Sequence, residues 1–141
     1  TKSGVKPDTP LSLLLVTSGD VLWVEALEDQ LLRQEQLQLI AAMARAIRGA
    51  SVRCAHQQFD WPPAAGSAIA ASEGMEGMLS GFLHRLTSDH ATRYIVKLGA
   101  CEVLPASDLP VHQIPSSLEM LREGSLKQSA WSVLKPLRSR D

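Results

Sequence analysis

The chain has few cysteines, no excess of positive charge and no long apolar run, and each absence excludes a class of protein. Its 141 residues contain two cysteines, Cys54 and Cys101, which lie 47 residues apart and outside any C-x-x-C pair. This spacing predicts two free thiols in a reducing compartment rather than a disulfide framework or a zinc site. With 14 basic and 15 acidic residues the formal net charge is −1. No global field therefore draws the chain to nucleic acid or to a membrane surface.

Targeting and membrane-spanning segments are also lacking. No apolar run approaches the roughly 20 residues of a membrane-spanning helix, and no signal-peptide pattern is present. We therefore expect a cytoplasmic protein. The chain begins at Thr1 rather than Met, and residues 1–10 are polar with two prolines. We interpret them as a disordered lead or a truncated linker, followed by a single domain over residues 11–141.

Motifs for nucleotide, metal or hydrolase chemistry are absent from the sequence. The stretch RYIVKLG ends at Gly99, as strands do in many nucleotide-binding proteins. The surrounding residues match neither G-x-G-x-x-G nor G-x-x-x-x-G-K-[ST]. The histidines His56, His84, His90 and His112 form no cluster with metal-ligand spacing, and no G-x-S-x-G elbow occurs. The sequence therefore predicts no catalytic, cofactor or metal site.

The patterns that are present predict a hairpin followed by a helix. In LSLLLVTSGDVLWVEA, two apolar runs flank a Gly-Asp pair, which predicts hairpin strands at 11–16 and 21–25. Apolar residues at helical spacing then predict a helix over 30–48. Asp29 is its expected N-cap, and Gly49 is expected to end it.

The rest of the chain alternates between strands and helices. We expect, in order, a strand at 51–56, a loop at FDWPPAAGS, a helix at 72–87, a strand at RYIVKLG and a short strand at VHQI. Capping boxes at Ser116 and Ser125 predict two final helices. This order predicts an α/β protein, a three-layer α/β/α sandwich. Its mixed, mostly parallel sheet is expected to have 4–5 strands and to start with a β-hairpin.

The order of these patterns resembles one family, the psi subunit of bacterial DNA polymerase III holoenzyme. The resemblance rests on the hairpin, on RYIVKLG and on the ending IPSSLEMLREGSLKQSAWSVLKPL, and it covers about residues 11–137. The matching positions are Leu98-Gly99 at the strand end, Ser116–Leu121 in the capped helix, and Lys127, Trp131 and Leu134 in the last helix. These motifs are structural, so their order and spacing carry the match.

The resemblance implies a non-catalytic adaptor without a cofactor. In psi, the folded domain binds the chi subunit, which holds the tail of single-stranded DNA-binding protein, and an N-terminal peptide docks on the clamp-loader collar. Only ten residues precede the first predicted strand here, so we expect this chain to keep chi binding and to lack the collar peptide. We predict the chi-facing surface at Trp131, Leu134 and Leu137, with Trp23 second, because such surfaces carry aromatic anchors.

Two other interpretations stay open. Uracil-DNA glycosylases share this kind of sandwich, and VHQIPSSLEML is similar to their His-Pro-Ser-Pro-like segment, although His112 is displaced by two residues. Their early acidic loop has no counterpart, and base extrusion needs a basic surface. The other interpretation is an unrelated α/β scaffold. Arg45, Arg48 and Arg53 offer a weak DNA contact, but a helix end with basic side chains accounts for them.

Overall fold

The computed structural model contains a five-stranded mixed sheet with helices packed on both faces. It describes residues 11–27, 31–61, 68–101 and 108–138, without the side chains of 68–73 and 75. The strands are β1 (Leu11–Ser18), β2 (Val21–Ala26), β3 (Cys54–Trp61), β4 (Tyr94–Leu98) and β5 (Val111–Ile114). Their order is β3-β1-β2-β4-β5, with β1 antiparallel to both neighbours and the other pairs parallel. The predicted α/β fold that begins with a hairpin is confirmed.

The β1–β2 hairpin lies at the centre of the sheet. Ser18 pairs with Val21 across a two-residue turn of Gly19 and Asp20. Gly19 has a φ of 56°, a left-handed conformation that glycine adopts without steric cost. Because other strands lie on both sides of the hairpin and helices cover both faces of the sheet, both hairpin strands, β1 and β2, are buried almost throughout. This burial accounts for the continuous apolar runs in the sequence.

Within the described residues, four α-helices cover the two faces of the sheet unequally. They are α1 (Gln34–Arg48), α2 (Ala68–Asp89), α3 (Ser117–Arg122) and α4 (Leu126–Leu134), and a 3₁₀ turn over Lys135–Leu137 follows α4. One face packs against α1, α3 and α4, through buried residues such as Ile40, Met120 and Ala130. The other face packs against α2, through Leu79 and Leu86.

The ends of two helices differ from the prediction. Arg33 is the N-cap of α1, and Asp29 lies outside the described residues. The helix ends at Gly49 as predicted, where φ is 99°. Ser116 caps α3, since its Oγ accepts from the Glu119 N–H at 3.1 Å. The capping box predicted at Ser125 is wrong, because Ser125 has helical backbone angles and its side chain makes no hydrogen bond to the start of α4.

The third strand and the second helix both extend further than predicted. Strand β3 runs to Trp61 because it pairs with β1 along its whole length. Phe59 and Trp61, for which the sequence predicts a loop, are buried beneath α2. Residues 54–58 are all exposed, so the apolar alternation that marks a half-buried strand is weak there. Helix α2 spans Ala68–Asp89, with a non-helical residue at Gly74 (φ 74°).

Candidate partner-binding surface

Three of the four predicted partner-binding residues lie in the core, which corrects the sequence prediction. Trp23 and Leu134 have no exposed surface, and Leu137 is 8% exposed. The indole Nε1 of Trp23 donates to Ser18 Oγ at 2.7 Å inside the protein. An apolar stripe on a helix marks a buried face whether a sheet or a partner covers it. In α4 and the 3₁₀ turn the sheet covers it, so these residues present no surface to a partner.

Trp131 is the predicted residue that keeps part of its surface exposed. It is half-buried and packs against the edge of the core. With 3.6 residues per turn, Trp131 lies on the flank of α4 opposite Ser129 and Val133. It therefore does not belong to the surface that these two residues form with β5.

That surface is a groove beside β5, which we call the β5 groove. It has a volume of about 520 Å³. Its lining residues are Gly99, Ala100, Gln113, Ile114, Pro115, Glu119, Leu126, Ser129 and Val133. Most of this lining is apolar, and Glu119 is the one charged residue among the described lining residues. A groove of this composition can bind apolar side chains of a partner, with specificity from a few polar groups at the rim.

The position of β5 explains why the groove is open. Strand β5 has only four residues and pairs with β4 on one side, so it is an edge strand in the described sheet. Val111 is 44% exposed, and Gln113 is exposed and donates from Nε2 to the Gly99 carbonyl oxygen at 3.1 Å. An edge strand presents unpaired backbone groups that a partner strand can bind. The sheet edge and the groove therefore form one continuous candidate surface.

Gly99 serves close packing in this region. Its φ is 70°, and a Cβ atom at this position would lie 2.9 Å from the Cβ of Ser116. Its N–H donates to the Ile114 carbonyl oxygen at 2.8 Å, which joins the ends of β4 and β5. The residue lets the N-terminus of α3 approach the end of β4, and this close approach accounts for the glycine.

Gly99→Ala is expected to lower the free energy of unfolding by about 2 kcal/mol, because it adds left-handed strain and a steric contact. Gly124→Ala is the matched control, since nothing lies within 4 Å of a Cβ there. Urea unfolding of both variants measures the difference. An equal loss in the two variants would contradict the close-packing role.

A buried polar network joins β2, α1 and α3. Glu25 is 2% exposed, and its carboxylate accepts from the Ser117 N–H at 3.0 Å and from Ser117 Oγ at 2.6 Å. Gln36 Nε2 donates to the same hydroxyl at 2.8 Å. Burial raises the pKa of Glu25, although the Ser117 hydrogen bonds act in the opposite direction. Because Ser117 has no exposed surface, no substrate reaches its hydroxyl, and the network stabilises the fold.

The sequence analysis missed this network. A signal was present, because Glu25 interrupts the apolar strand VLWVEA with a carboxylate. A carboxylate in a strand buried on both faces requires hydrogen-bond partners. The sequence does not say that these partners are Gln36 and Ser117, since neither is close to Glu25 along the chain.

Cys54 and His56 line one cavity between β3 and α1, and the other histidines and Cys101 lie elsewhere in the fold. His56, His84 and His90 are exposed on different elements, and His112 is half-buried on β5. No group of three or more His, Cys, Asp or Glu residues within the described ranges could hold a metal ion. Neither cysteine is part of a disulfide; Cys54 is exposed and Cys101 is buried. Desolvation raises the pKa of the Cys54 thiol despite the nearby charge of Arg45.

Comparisons of the chain with models of protein families, with curated proteins and with solved structures found no match. In the part of the chain that the structure describes, no helix combines the length and the apolar character needed to cross a membrane. What the chain does is therefore inferred from its surfaces and from the order of its sequence patterns.

Proposed function

We propose that this chain is a psi-like, non-catalytic adaptor of the bacterial DNA polymerase III holoenzyme. It binds the chi subunit, and through chi it connects single-stranded DNA-binding protein to the clamp loader. Its effect is linkage, because a protein that binds two partners raises the effective concentration of one near the other. The resemblance in hairpin, strand end and final helices supports this function. The β5 groove is the structural observation that carries it.

The groove suits a protein partner in three respects. It combines an apolar trough of about 520 Å³ with an exposed strand edge. Partner surfaces typically join an apolar centre to a polar rim, and here Gln113, Glu119 and Ser129 supply the rim. A strand edge beside a trough also allows main-chain pairing with side-chain docking. We therefore assign chi binding to the β5 groove, in place of the four residues predicted from sequence.

Ser129→Arg is expected to weaken chi binding at least tenfold, or about 1.4 kcal/mol, because the long charged side chain enters the apolar groove. Ser129 is exposed on α4, so this substitution leaves the core intact. Gln128→Arg is the matched control, since Gln128 is exposed on the same helix, does not line the groove and gains the same charge. Calorimetric titration with chi from the same organism measures both variants.

The two variants separate the proposed function from the proposed surface. If the wild-type chain binds chi, and Ser129→Arg and Gln128→Arg bind chi with equal affinity, the adaptor function is supported and the β5 groove is rejected as the chi-binding surface. Absence of binding by the wild-type chain would reject the psi-like function itself. Specific turnover of uracil-containing DNA would instead favour the glycosylase interpretation, which the sequence left open.

A further inference from the structure

A second cleft lies at the other end of the sheet, near the start of β4. The β1–β2 turn, the end of α1 and the residues after α4 meet there and enclose about 510 Å³. Three guanidinium groups line this arginine cleft, from Arg48, Arg93 and Arg138, together with the ring of Tyr94. Asp20 is the one carboxylate among its described lining residues. The cleft therefore carries an excess of positive charge that the chain as a whole lacks.

Asp20 organises the cleft through its backbone and its side chain. Its carbonyl oxygen accepts from the N–H groups of Arg93 and Tyr94 at 2.7 and 3.2 Å. Its carboxylate accepts from Arg48 Nε at 2.7 Å. Arg48 also donates from Nη1 to the carbonyl oxygen of Leu137, which ties the end of the described chain to α1. The hydrogen bonds of Arg48 are thus used within the fold, and its charge is offset by Asp20.

Arg93 and Arg138 keep their guanidinium groups at the surface. The Arg93 side chain is 70% exposed, and its Nη1 lies 3.9 Å from Asp20, which is a weak ion pair in water. Its Cζ atom lies 5.7 Å from the centre of the Tyr94 ring, a cation–π distance that restrains the side chain beside the cleft. Arg138 is exposed on the same cleft. Two cations therefore flank one cavity in which Asp20 is the one carboxylate among the described lining residues.

We propose that the arginine cleft binds a phosphate group, either as a free anion or within the backbone of single-stranded DNA. The guanidinium fork matches phosphate oxygens with two parallel hydrogen bonds, so two such groups hold one phosphate from two sides. The cleft is distant in the fold from the β5 groove, since the two lie at opposite ends of β4. Phosphate binding at the arginine cleft can therefore be tested independently of chi binding at the β5 groove.

The test is a titration followed by ¹H–¹⁵N NMR at low ionic strength, with inorganic phosphate in one arm and oligothymidylate in the other. We expect saturable shifts of the Gly19, Ser51 and Tyr94 amides. The double variant Arg93→Gln, Arg138→Gln is expected to bind roughly tenfold more weakly, because it removes both exposed guanidinium groups of the cleft. Arg85→Gln is the control, since Arg85 is exposed on α2, on the other face of the sheet.

Each outcome decides a different part of the proposal. Tighter and salt-dependent binding of oligothymidylate assigns the site to a DNA backbone, and equal binding of the two ligands assigns it to the free anion. Absence of saturable shifts with both ligands would overturn the proposal. Equal weakening by the double variant and by Arg85→Gln would also overturn it, because general charge would then explain the binding. Thermal unfolding of each variant verifies that the fold is intact.

Discussion

The Trp23→Ala variant is expected to lose about 3–5 kcal/mol of its free energy of unfolding. Trp23 has no exposed surface and belongs to the core on the face that α1, α3 and α4 cover. Truncation leaves a large cavity, and it removes the partner of the buried Ser18 hydroxyl. Because domains are typically stable by about 5–15 kcal/mol, this loss takes a large share of the total.

Urea unfolding of Trp23→Ala and Trp131→Ala measures this difference. Trp131 is half-buried, so we expect its truncation to cost less than half as much. The comparison also bears on partner binding, since the sequence predicted both residues as contacts. A Trp23→Ala chain that keeps wild-type stability and loses chi binding would contradict the burial of this side chain.

The Ser117→Ala variant is expected to lose about 2–4 kcal/mol, because both Glu25 and Gln36 bind its hydroxyl inside the protein. Removal leaves a buried carboxylate oxygen and a buried amide N–H without this partner. The cost is expected to be larger at neutral pH than in acid, since an ionised carboxylate depends more on its hydrogen bonds than a neutral carboxyl does.

The sign of the pH effect follows from the hydrogen bonds of Ser117, which lower the pKa of Glu25 against the raising effect of burial, so that Ser117→Ala raises this pKa further. A folded-state pKa above the unfolded value means that the folded chain holds the proton more tightly. The contribution of Glu25 to the free energy of unfolding is therefore fully present below the pKa that Glu25 has in the unfolded chain. It is lost as pH rises through the pKa that Glu25 has in the folded chain. Urea unfolding of the wild-type chain and of Ser117→Ala, each at acid and neutral pH, tests this.

Ser132→Ala is the control for the network, because Ser132 is exposed and its hydroxyl donates only locally, to the Gln128 carbonyl oxygen. Its expected effect is within about 0.5 kcal/mol at either pH. Similar losses in Ser117→Ala and Ser132→Ala, or a Ser117→Ala loss that is independent of pH, would contradict the role assigned to the buried network.

The hairpin, the end of α1 and strand β5 could be predicted because local patterns determine them. The Gly19-Asp20 turn between apolar runs and the glycine after α1 are visible in short windows of sequence. The end of β3 could not be predicted in the same way. Residues 54–58 are exposed, and the strand exists because β1 pairs with it. Long-range pairing outweighed a weak local pattern.

The candidate surfaces were less predictable than the fold. The apolar residues Leu134 and Leu137 have the same pattern whether a sheet or a partner covers them, so the sequence could not separate core from surface. The sequence also grouped Arg48 with its neighbours Arg45 and Arg53, whereas the fold places it with Arg93 and Arg138. Such assemblies form from residues that are distant along the chain, and only the three-dimensional arrangement reveals them.

Calorimetric titration of the wild-type chain with chi from the same organism, repeated at several temperatures, tests the adaptor function most directly. The adaptor function predicts a 1:1 complex with a negative heat-capacity change, because apolar surface in the β5 groove becomes buried. Absence of binding at tens of micromolar, which corresponds to an affinity weaker than about −6 to −7 kcal/mol, would contradict it.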